Sequence, residues 1–446
     1  MKGNHPALMK TSIRVSKPEL QRNTPSNEIV TAPPSESGAA EAGDVAQALG
    51  KRRSMFPVSK TRGQKWFLRD GLRDITTLER VRKCGRVPIA KKFVELRYDE
   101  LNKRGGFSGL QSCGSVCCPV CAAKVAASRR SDLEHVLAHA SANGLFVSML
   151  TLTIRHHSGH RLKTLWAGLS DGWRQVISGR KWQEFRSQIG LIGYVKAVES
   201  TFSFNNGWHV HQHVILITEK NPSDVLLVFQ RKQGRRKTPY PPEYVLPSDF
   251  VAERWSKGLA KHGLDFLKDS GGLDWRTAKP TDSKTLASYV SKMGATTIEG
   301  LSSEATLGQF KKGRKVSRTP FQILADIFET GDLDDLELWW EWEKASFGKR
   351  FISWSTGLRD WANLGVEETP EEVCAKDFGG ETVCQMDYVE WRKVFKAGPL
   401  NLLVALESGG VEAAYQWLDE HGVYYVKGSG DPPVNVVDPR DYDYLF

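Results

Sequence analysis

Hydrophobic positions between residues 144 and 300 follow two periods, that of strands and that of helices. Apolar runs and alternations predict strands at 145–154, 192–204 and 208–217, and a further one in LDWRTAK. Apolar residues at helical spacing predict helices at 162–177, 248–261 and 282–293. The segment Asn205-Asn206-Gly207 favours a hairpin between two of the strands, because Asn-Gly suits a tight turn. This alternation of strands and helices predicts an α+β sheet domain.

The regions on either side of this domain differ from it in composition. Residues 1–60 include TAPPSESGAAEAG and lack apolar periodicity, which is typical of a disordered tail. After residue 300, the basic turn KKGRKVSR precedes an acidic, Trp-rich helical segment, DLDDLELWWEWEKA. We therefore expect a disordered basic tail at 1–60, a cysteine-rich module at 61–140, the sheet domain at 141–300 and a helical C-terminal accessory module at 301–446.

Composition and charge narrow the class of protein. Of the 446 residues, 40% are apolar and 26% are charged, as in soluble globular chains. No apolar run approaches the ~20 residues of a transmembrane helix, and no apolar segment follows the basic N-terminus as in a secretory signal. We therefore expect a cytoplasmic protein without membrane contact. The net charge of +10 favours a polyanionic partner, although a merely basic soluble surface would carry it too.

Three histidines at alternate positions mark a candidate metal site. His209, His211 and His213 project from the same side if this segment is a strand. If the preceding turn is centred on residues 206 and 207, Glu199 lies near the level of His213 or one residue beyond. A carboxylate beside imidazoles suits Mg²⁺ or Mn²⁺ holding a phosphate oxygen. The alternative is a polar sheet face with an exposed glutamate.

A tyrosine and a lysine share one face of the helix predicted at 282–293. Tyr289 and Lys292 are neighbours at i,i+3. A phenol can attack phosphorus if a metal polarises the phosphoryl group, and an ammonium can offset the developing charge. A Tyr near a Lys is common in protein cores, so this pair gains weight only from the histidine strand.

Five of the seven cysteines lie within residues 84–121, which indicates metal binding and not a disulfide framework. The predicted ligands of a closed structural zinc site are Cys84, Cys113, Cys118 and Cys121. Cys117 is an alternative to Cys113 or Cys118, and redox chemistry is a second interpretation of the cluster. Cys374 and Cys384 look incidental.

A basic, proline-containing stretch, RKQGRRKTPYPPEYVLP, predicts an exposed loop. It either is a solvated linker or contacts DNA phosphates. The candidate DNA-binding residues are Arg231, Lys232, Arg235, Arg236 and Lys237.

The order of these motifs resembles a known family, the replication initiators (Rep) of rolling-circle plasmids, within the histidine-hydrophobic-histidine (HUH) endonucleases. The resemblance rests on RKCGR, SCGSVCCPVCAAKVAASRR, LTLTIRHH, GWHVHQHVILI and LASYVSKMG, and GKRFISWSTGLRD is similar to a tail of some members. It covers roughly residues 84–360. It implies an antiparallel sheet with helices on one side, a ferredoxin-like or RRM-like core.

The resemblance also implies roles for individual residues. His211 and His213 would bind the metal with Glu199, although His209 and His211 also have the required spacing and Gln212 replaces the usual hydrophobic residue. Tyr289 would be the single nucleophile, with Lys292 as its partner. Members often carry a glutamate four residues before the tyrosine for the terminating cleavage. Here that position is Thr285, and Asp282 could substitute for it.

The activity implied is metal-dependent nicking of one strand at a plasmid origin, with a 5′-phosphotyrosine, a free 3′-hydroxyl primer and later rejoining. The expected partners are single- and double-stranded origin DNA, a host helicase and a host DNA polymerase, since no nucleotide-binding G-x-x-x-x-G-K-[ST] motif is found. An HUH transposase or relaxase would use the same chemistry. A non-catalytic, zinc-containing DNA-binding regulator is the more distant alternative.

Overall fold

A computed structural model describes residues 61–89, 93–230, 240–279, 281, 282, 285, 289, 317–376 and 378–429. These residues all lie within one compact unit, 44–446. The tail at 1–60, the five basic residues at 231–237 and Lys292 lie outside the described residues. None of the described helices has the length and apolar character needed to cross a membrane.

The described chain is α+β, and all of its sheets are antiparallel. The strands are β1 (Val94–Asp99), β2 (Arg104–Ser108), β3 (Phe146–Thr153), β4 (Leu191–Ser203), β5 (Gly207–Thr218), β6 (Leu227–Phe229), β7 (Glu243–Val245), β8 (Leu273–Ala278), β9 (Ile352–Trp354), β10 (Glu381–Met386) and β11 (Val426–Lys427). The helices are α1 (Thr61–Ile75), α2 (Glu79–Lys83), α3 (Pro119–Ala142), α4 (Leu162–Val176), α5 (Gly179–Ile189), α6 (Pro247–Ala260), α7 (Pro320–Thr330), α8 (Leu333–Ser346), α9 (Leu358–Trp361), α10 (Pro370–Ala375), α11 (Tyr388–Ala397) and α12 (Pro399–Glu420).

The central sheet has five strands in the order β8-β3-β5-β4-β9. Its middle is the predicted hairpin, but the register differs from the expected one. The turn comprises residues 204–206, and Gly207 already pairs with Ser203. Gly207 has a φ of +72°, and a Cβ there would come within 2.9 Å of the Ser158 backbone, so glycine is required. As a result Glu199 pairs with His211. The prediction that Glu199 lies near the level of His213, or one residue beyond it, was therefore wrong.

Helices cover both faces of this sheet, so the expected placement on one side was wrong. On one face Leu150 and Leu216 belong to a core shared with α4 and α6. On the other face Val147 and Ile217 belong to a second core with α3 and α9. The physical reason is visible in β5, where every residue from 212 to 218 is buried and both faces therefore need a cover. This second core uses the end of β5 away from the turn, and the histidines occupy the other end of the same face.

Strands from the last part of the chain join the central sheet and a second, four-stranded sheet. β9 extends the central sheet, whereas β10 pairs with β1 in a four-stranded sheet of order β11-β10-β1-β2. In α8 the buried Glu343 carboxylate accepts hydrogen bonds from Thr77 N at 2.9 Å and Thr77 Oγ1 at 2.7 Å, just after α1. Contacts therefore cross the domain boundaries expected at residues 140 and 300.

Candidate metal centres

Glu199, His211 and His213 converge on the second sheet face, at the end of the β4–β5 hairpin nearer its turn. Glu199 Oε2 lies 3.1 Å from His211 Nε2 and 3.7 Å from His213 Nε2. One ligand atom from each residue lies within 4.8 Å of the other two. Ligands bonded to one ion at about 2.1 Å lie about 3–4 Å apart, so the spacing fits a shared ion. We call this group the Glu-His-His site.

The orientation of His213 is fixed from the neighbouring strand. Thr151 on β3 lies opposite His213, and its Oγ1 is 2.9 Å from His213 Nδ1. This contact turns Nε2 towards Glu199, which is the arrangement that holds ligating histidines in metalloproteins. Thr151 is not among the site residues predicted from the sequence. A signal could have been found in the sequence, because a residue paired with His213 on an antiparallel neighbouring strand faces the same side of the sheet, and Thr151 is that residue.

Burial alone would raise the pKa of Glu199. The hydrogen bonds and the charges of His211 and His213 outweigh burial and hold the Glu199 pKa well below its usual value. The carboxylate is therefore ionised at neutral pH and available to a cation. A half-buried carboxylate kept anionic beside two imidazoles is a suitable donor set for a divalent ion.

His209 lies on the same face but outside the Glu-His-His site. Its ring stacks on His211, with ring centroids 4.8 Å apart, and lies 4.9 Å from the ring of His156. Burial, with the charges of His211 and His156, lowers the pKa of His209 to about 4, so its imidazole is neutral. Gln212 between the ligands is fully buried on the opposite face. Gln212 stands where the family has a hydrophobic residue, but because it lies on the other face it places no polar group at the Glu-His-His site.

Tyr289 has a helical backbone and packs in the second core, on the same side of the sheet as the Glu-His-His site. Its hydroxyl donates a hydrogen bond to the Arg276 carbonyl of β8 at 3.1 Å. Burial raises the pKa of the Tyr289 phenol. Upstream, the Asp282 carboxylate accepts hydrogen bonds from Thr285 N at 3.0 Å and from Thr285 Oγ1 at 2.6 Å.

A second cluster brings together the four cysteines chosen from the sequence. Cys84, Cys113, Cys118 and Cys121 are buried, and their sulfurs lie within 4.8 Å of one another. Cys84 Sγ is 3.8 Å from Cys118 Sγ and 3.5 Å from Cys121 Sγ, and Cys113 Sγ is 3.6 Å from Cys121 Sγ. We call this group the four-cysteine cluster. It could hold a metal ion, because none of the seven cysteines forms a disulfide and the four thiols are therefore available as ligands.

The other cysteines lie outside the cluster. Cys117 Sγ is directed at the Glu343 carbonyl at 3.9 Å, and Cys374 Sγ at the Cys121 carbonyl at 3.6 Å. Two buried arginines of α1 support the cluster: Arg73 Nη2 donates to the Cys84 carbonyl at 3.0 Å, and Arg69 interacts electrostatically with the thiols. The α1 arginines were not predicted from the sequence.

Fold and sites together define an α+β protein with two candidate metal centres, one of thiolates and one of a carboxylate and imidazoles. Residues 107–222 match the family model described as "Replication protein", a segment that contains three of the four clustered cysteines and the whole Glu-His-His site. The chain is 26% identical over 328 residues to "Protein rep" of Streptomyces lividans, covering 61% of this chain and 69% of the relative.

A second relative, "Neomycin resistance protein" of Streptomyces cyanogenus, is 24% identical over 180 residues, which are 35% of this chain and 39% of that protein. No solved structure matches the chain. The family match and the Streptomyces lividans relative confirm the resemblance found in the sequence and support a plasmid replication initiator of the Rep type.

Proposed function

We propose that this protein initiates rolling-circle replication by nicking one strand of a plasmid origin with Tyr289, in the cytoplasm of a bacterial host. The observation that carries the proposal is the convergence of Glu199, His211 and His213 at the turn end of the β4–β5 hairpin. Mg²⁺ or Mn²⁺ held there would polarise a phosphate oxygen. Relatedness to replication proteins supplies the biological setting.

The remaining steps of the reaction are assigned to Tyr289 and Lys292. The Tyr289 oxygen loses its proton to a base and attacks phosphorus, so that a tyrosine–phosphate bond forms and the bond to the 3′-oxygen breaks. The 3′-oxygen takes up a proton and becomes the primer, and its attack on the phosphotyrosine reverses the step and rejoins the strand. To reach phosphorus, the Tyr289 hydroxyl must leave the Arg276 carbonyl. We assign Lys292 the role of offsetting charge in this transfer.

Origin DNA is the ligand that a replication protein of this kind requires. We propose that Arg231, Lys232, Arg235, Arg236 and Lys237 contact its phosphates. Strand separation and primer extension are assigned to a host helicase and a host DNA polymerase.

We further propose that the four-cysteine cluster holds a structural Zn²⁺. A tetrahedron with Zn–S bonds of about 2.3 Å has edges of about 3.8 Å. The measured sulfur–sulfur distances of 3.5, 3.6 and 3.8 Å fit this size. The four thiolates and the ion form a closed site, so the role is structural.

Replacing Cys118 or Cys121 with serine should abolish zinc binding and yield little soluble protein. Structural zinc contributes about 10–16 kcal/mol, which matches or exceeds the about 5–15 kcal/mol that stabilises a typical domain. Metal analysis of purified protein should find about one zinc per chain. Cys117→Ser is the matched control, because Cys117 lies outside the cluster, and it should retain zinc. Active wild-type protein without zinc would refute this assignment.

A nicking assay tests the proposed function. Wild-type protein should cut a candidate origin single strand in the presence of Mn²⁺, and chelation of the metal should stop cleavage. Origin binding without any cleavage would support the non-catalytic regulator instead. If cleavage is seen, a plasmid-maintenance assay separates replication from transposition or conjugative transfer, because only an initiator is required for plasmid copying.

A further inference from the structure

A cavity of 350 Å³ lies beside the four-cysteine cluster and apart from the Glu-His-His site. It is lined by α1, β2 with its following loop, the start of α3, residues 374–376 and Phe378, and Cys84 and Cys121 form part of its wall. Its volume falls within the about 300–1,000 Å³ of ordinary ligand sites. The proposed nicking mechanism does not use it.

Apart from the two cysteines of the four-cysteine cluster, the charged side chains of the cavity wall are all basic among the residues that the structure describes. Its basic side chains are Lys65, Arg69, Arg104, Lys124 and Lys376, and no described Asp or Glu lines it. Part of this charge is accounted for, because Arg69 interacts with the thiols and Lys376 pairs with Glu368 at 2.7 Å. Arg104 and Lys124 are exposed and add positive charge beyond that. Such a wall attracts an anion.

Arg69 lines the cavity with a buried side chain that packs on Trp66. Its guanidinium lies 4.1 Å from the centre of the Trp66 ring. The Arg69 Nε–H group is buried and finds no acceptor among the described residues. A buried donor without an acceptor is unfavourable by about 1–3 kcal/mol.

The remaining wall is aromatic and apolar. Phe107 and Phe378 are partly exposed and both line the cavity. The Phe378 ring lies directly over Gly106, where an added Cβ would come within 2.3 Å of the ring. The Phe107 ring lies 6.0 Å from that of Trp66. Aromatic faces beside cations are the combination with which proteins bind single-stranded nucleic acid, by stacking bases and neutralising phosphates.

We propose that this cavity binds a nucleotide of single-stranded DNA. Arg104 and Lys124 contact the phosphate, and the base packs against Phe107 and Phe378. The inference rests on the proposed function insofar as it takes DNA as the ligand. It does not depend on Tyr289 or on the Glu-His-His site.

Charge reversal tests the phosphate contacts. The double variant Arg104→Glu/Lys124→Glu should bind a fluorescent oligothymidylate about tenfold more weakly than wild type, and the slope of log K against log salt should become shallower by about 1.4. The control Lys344→Glu/Lys396→Glu changes the net charge equally, at exposed lysines that do not line the cavity. It should bind nearly as wild type does. Equal weakening by both variants, or no weakening by the first, refutes the proposal.

Photocrosslinking uses the wild-type protein, so its result does not depend on whether a variant folds. An oligonucleotide containing 4-thiothymidine should crosslink to the peptides that carry Phe107 or Phe378, and crosslinks found solely elsewhere contradict the proposal. Displacement of the oligonucleotide by equimolar thymidine monophosphate would show a free-nucleotide site and overturn the assignment to a DNA strand. Nicking is scored separately: intact nicking without a cavity crosslink refutes only the cavity, and a cavity crosslink without nicking refutes only the nicking mechanism.

Discussion

Protein carrying His213→Ala should lose about 100-fold or more of its metal-dependent nicking rate, and His211→Ala should behave alike. Each substitution removes an imidazole nitrogen that lies 3.1–3.7 Å from Glu199 Oε2. After either substitution, the ion would be held by the ionised Glu199 carboxylate and only one imidazole. Nicking rates across a Mn²⁺ titration, together with calorimetric Mn²⁺ binding, measure the loss.

His209→Ala is the matched control for these variants. It removes the same side chain from the same strand face, but its nitrogens lie outside the Glu-His-His site, so measurable activity should remain. Circular dichroism of the three variants checks that the fold is retained. A full loss of activity in His209→Ala with His213→Ala still active would move the ligand pair to His209 and His211.

Thr151 allows a finer test of the same site. Thr151→Val keeps the size and β-branching of the side chain but removes the hydroxyl 2.9 Å from His213 Nδ1. We expect Mn²⁺ affinity to fall about 10- to 100-fold, as for other groups that orient metal ligands. Thr151→Ser retains the hydroxyl and should remain close to wild type. Equal affinities of the valine and serine variants would show that the Thr151 contact does not orient the ligand.

Much of the central sheet could be predicted because its signals are local. Period-two histidines, apolar runs and the Asn-Gly turn gave the hairpin and the shared face of His211 and His213. The register could not be predicted, because it depends on how Gly207 fits against the Ser158 backbone. The apolar run after His213 is typical of a strand covered on both faces, whereas the resemblance implies helices on one side only.

The cysteine ligands could be chosen from spacing, whereas their surroundings could not. Cys84 and the later cysteines form the expected group, with Cys117 excluded because it is directed at Glu343, more than 200 residues away in the chain. The cavity wall combines α1 with residues 374–376 and Phe378, and no local pattern links such distant segments. The hydrogen bond of Tyr289 to the Arg276 carbonyl is likewise a tertiary contact without a sequence signal.

Tyr289→Phe should bind origin DNA normally and fail to cut it. Phenylalanine keeps the ring in the second core and removes only the oxygen that would attack phosphorus. The lost hydrogen bond to the Arg276 carbonyl contributes about 0.5–1.5 kcal/mol, too little to unfold the protein. DNA binding depends mainly on phosphate neutralisation by basic side chains, which this substitution leaves unchanged.

Mapping of the covalent adduct tests the central claim most directly. Wild-type protein incubated with Mn²⁺ and an origin single strand should become attached to the 5′ side of the nick, and mass spectrometry of its peptides should place the phosphate on Tyr289. Tyr289→Phe should give no adduct while its origin affinity stays within about twofold of wild type. An adduct on another tyrosine, such as Tyr194 or Tyr244, or undiminished nicking by Tyr289→Phe, would contradict the mechanism.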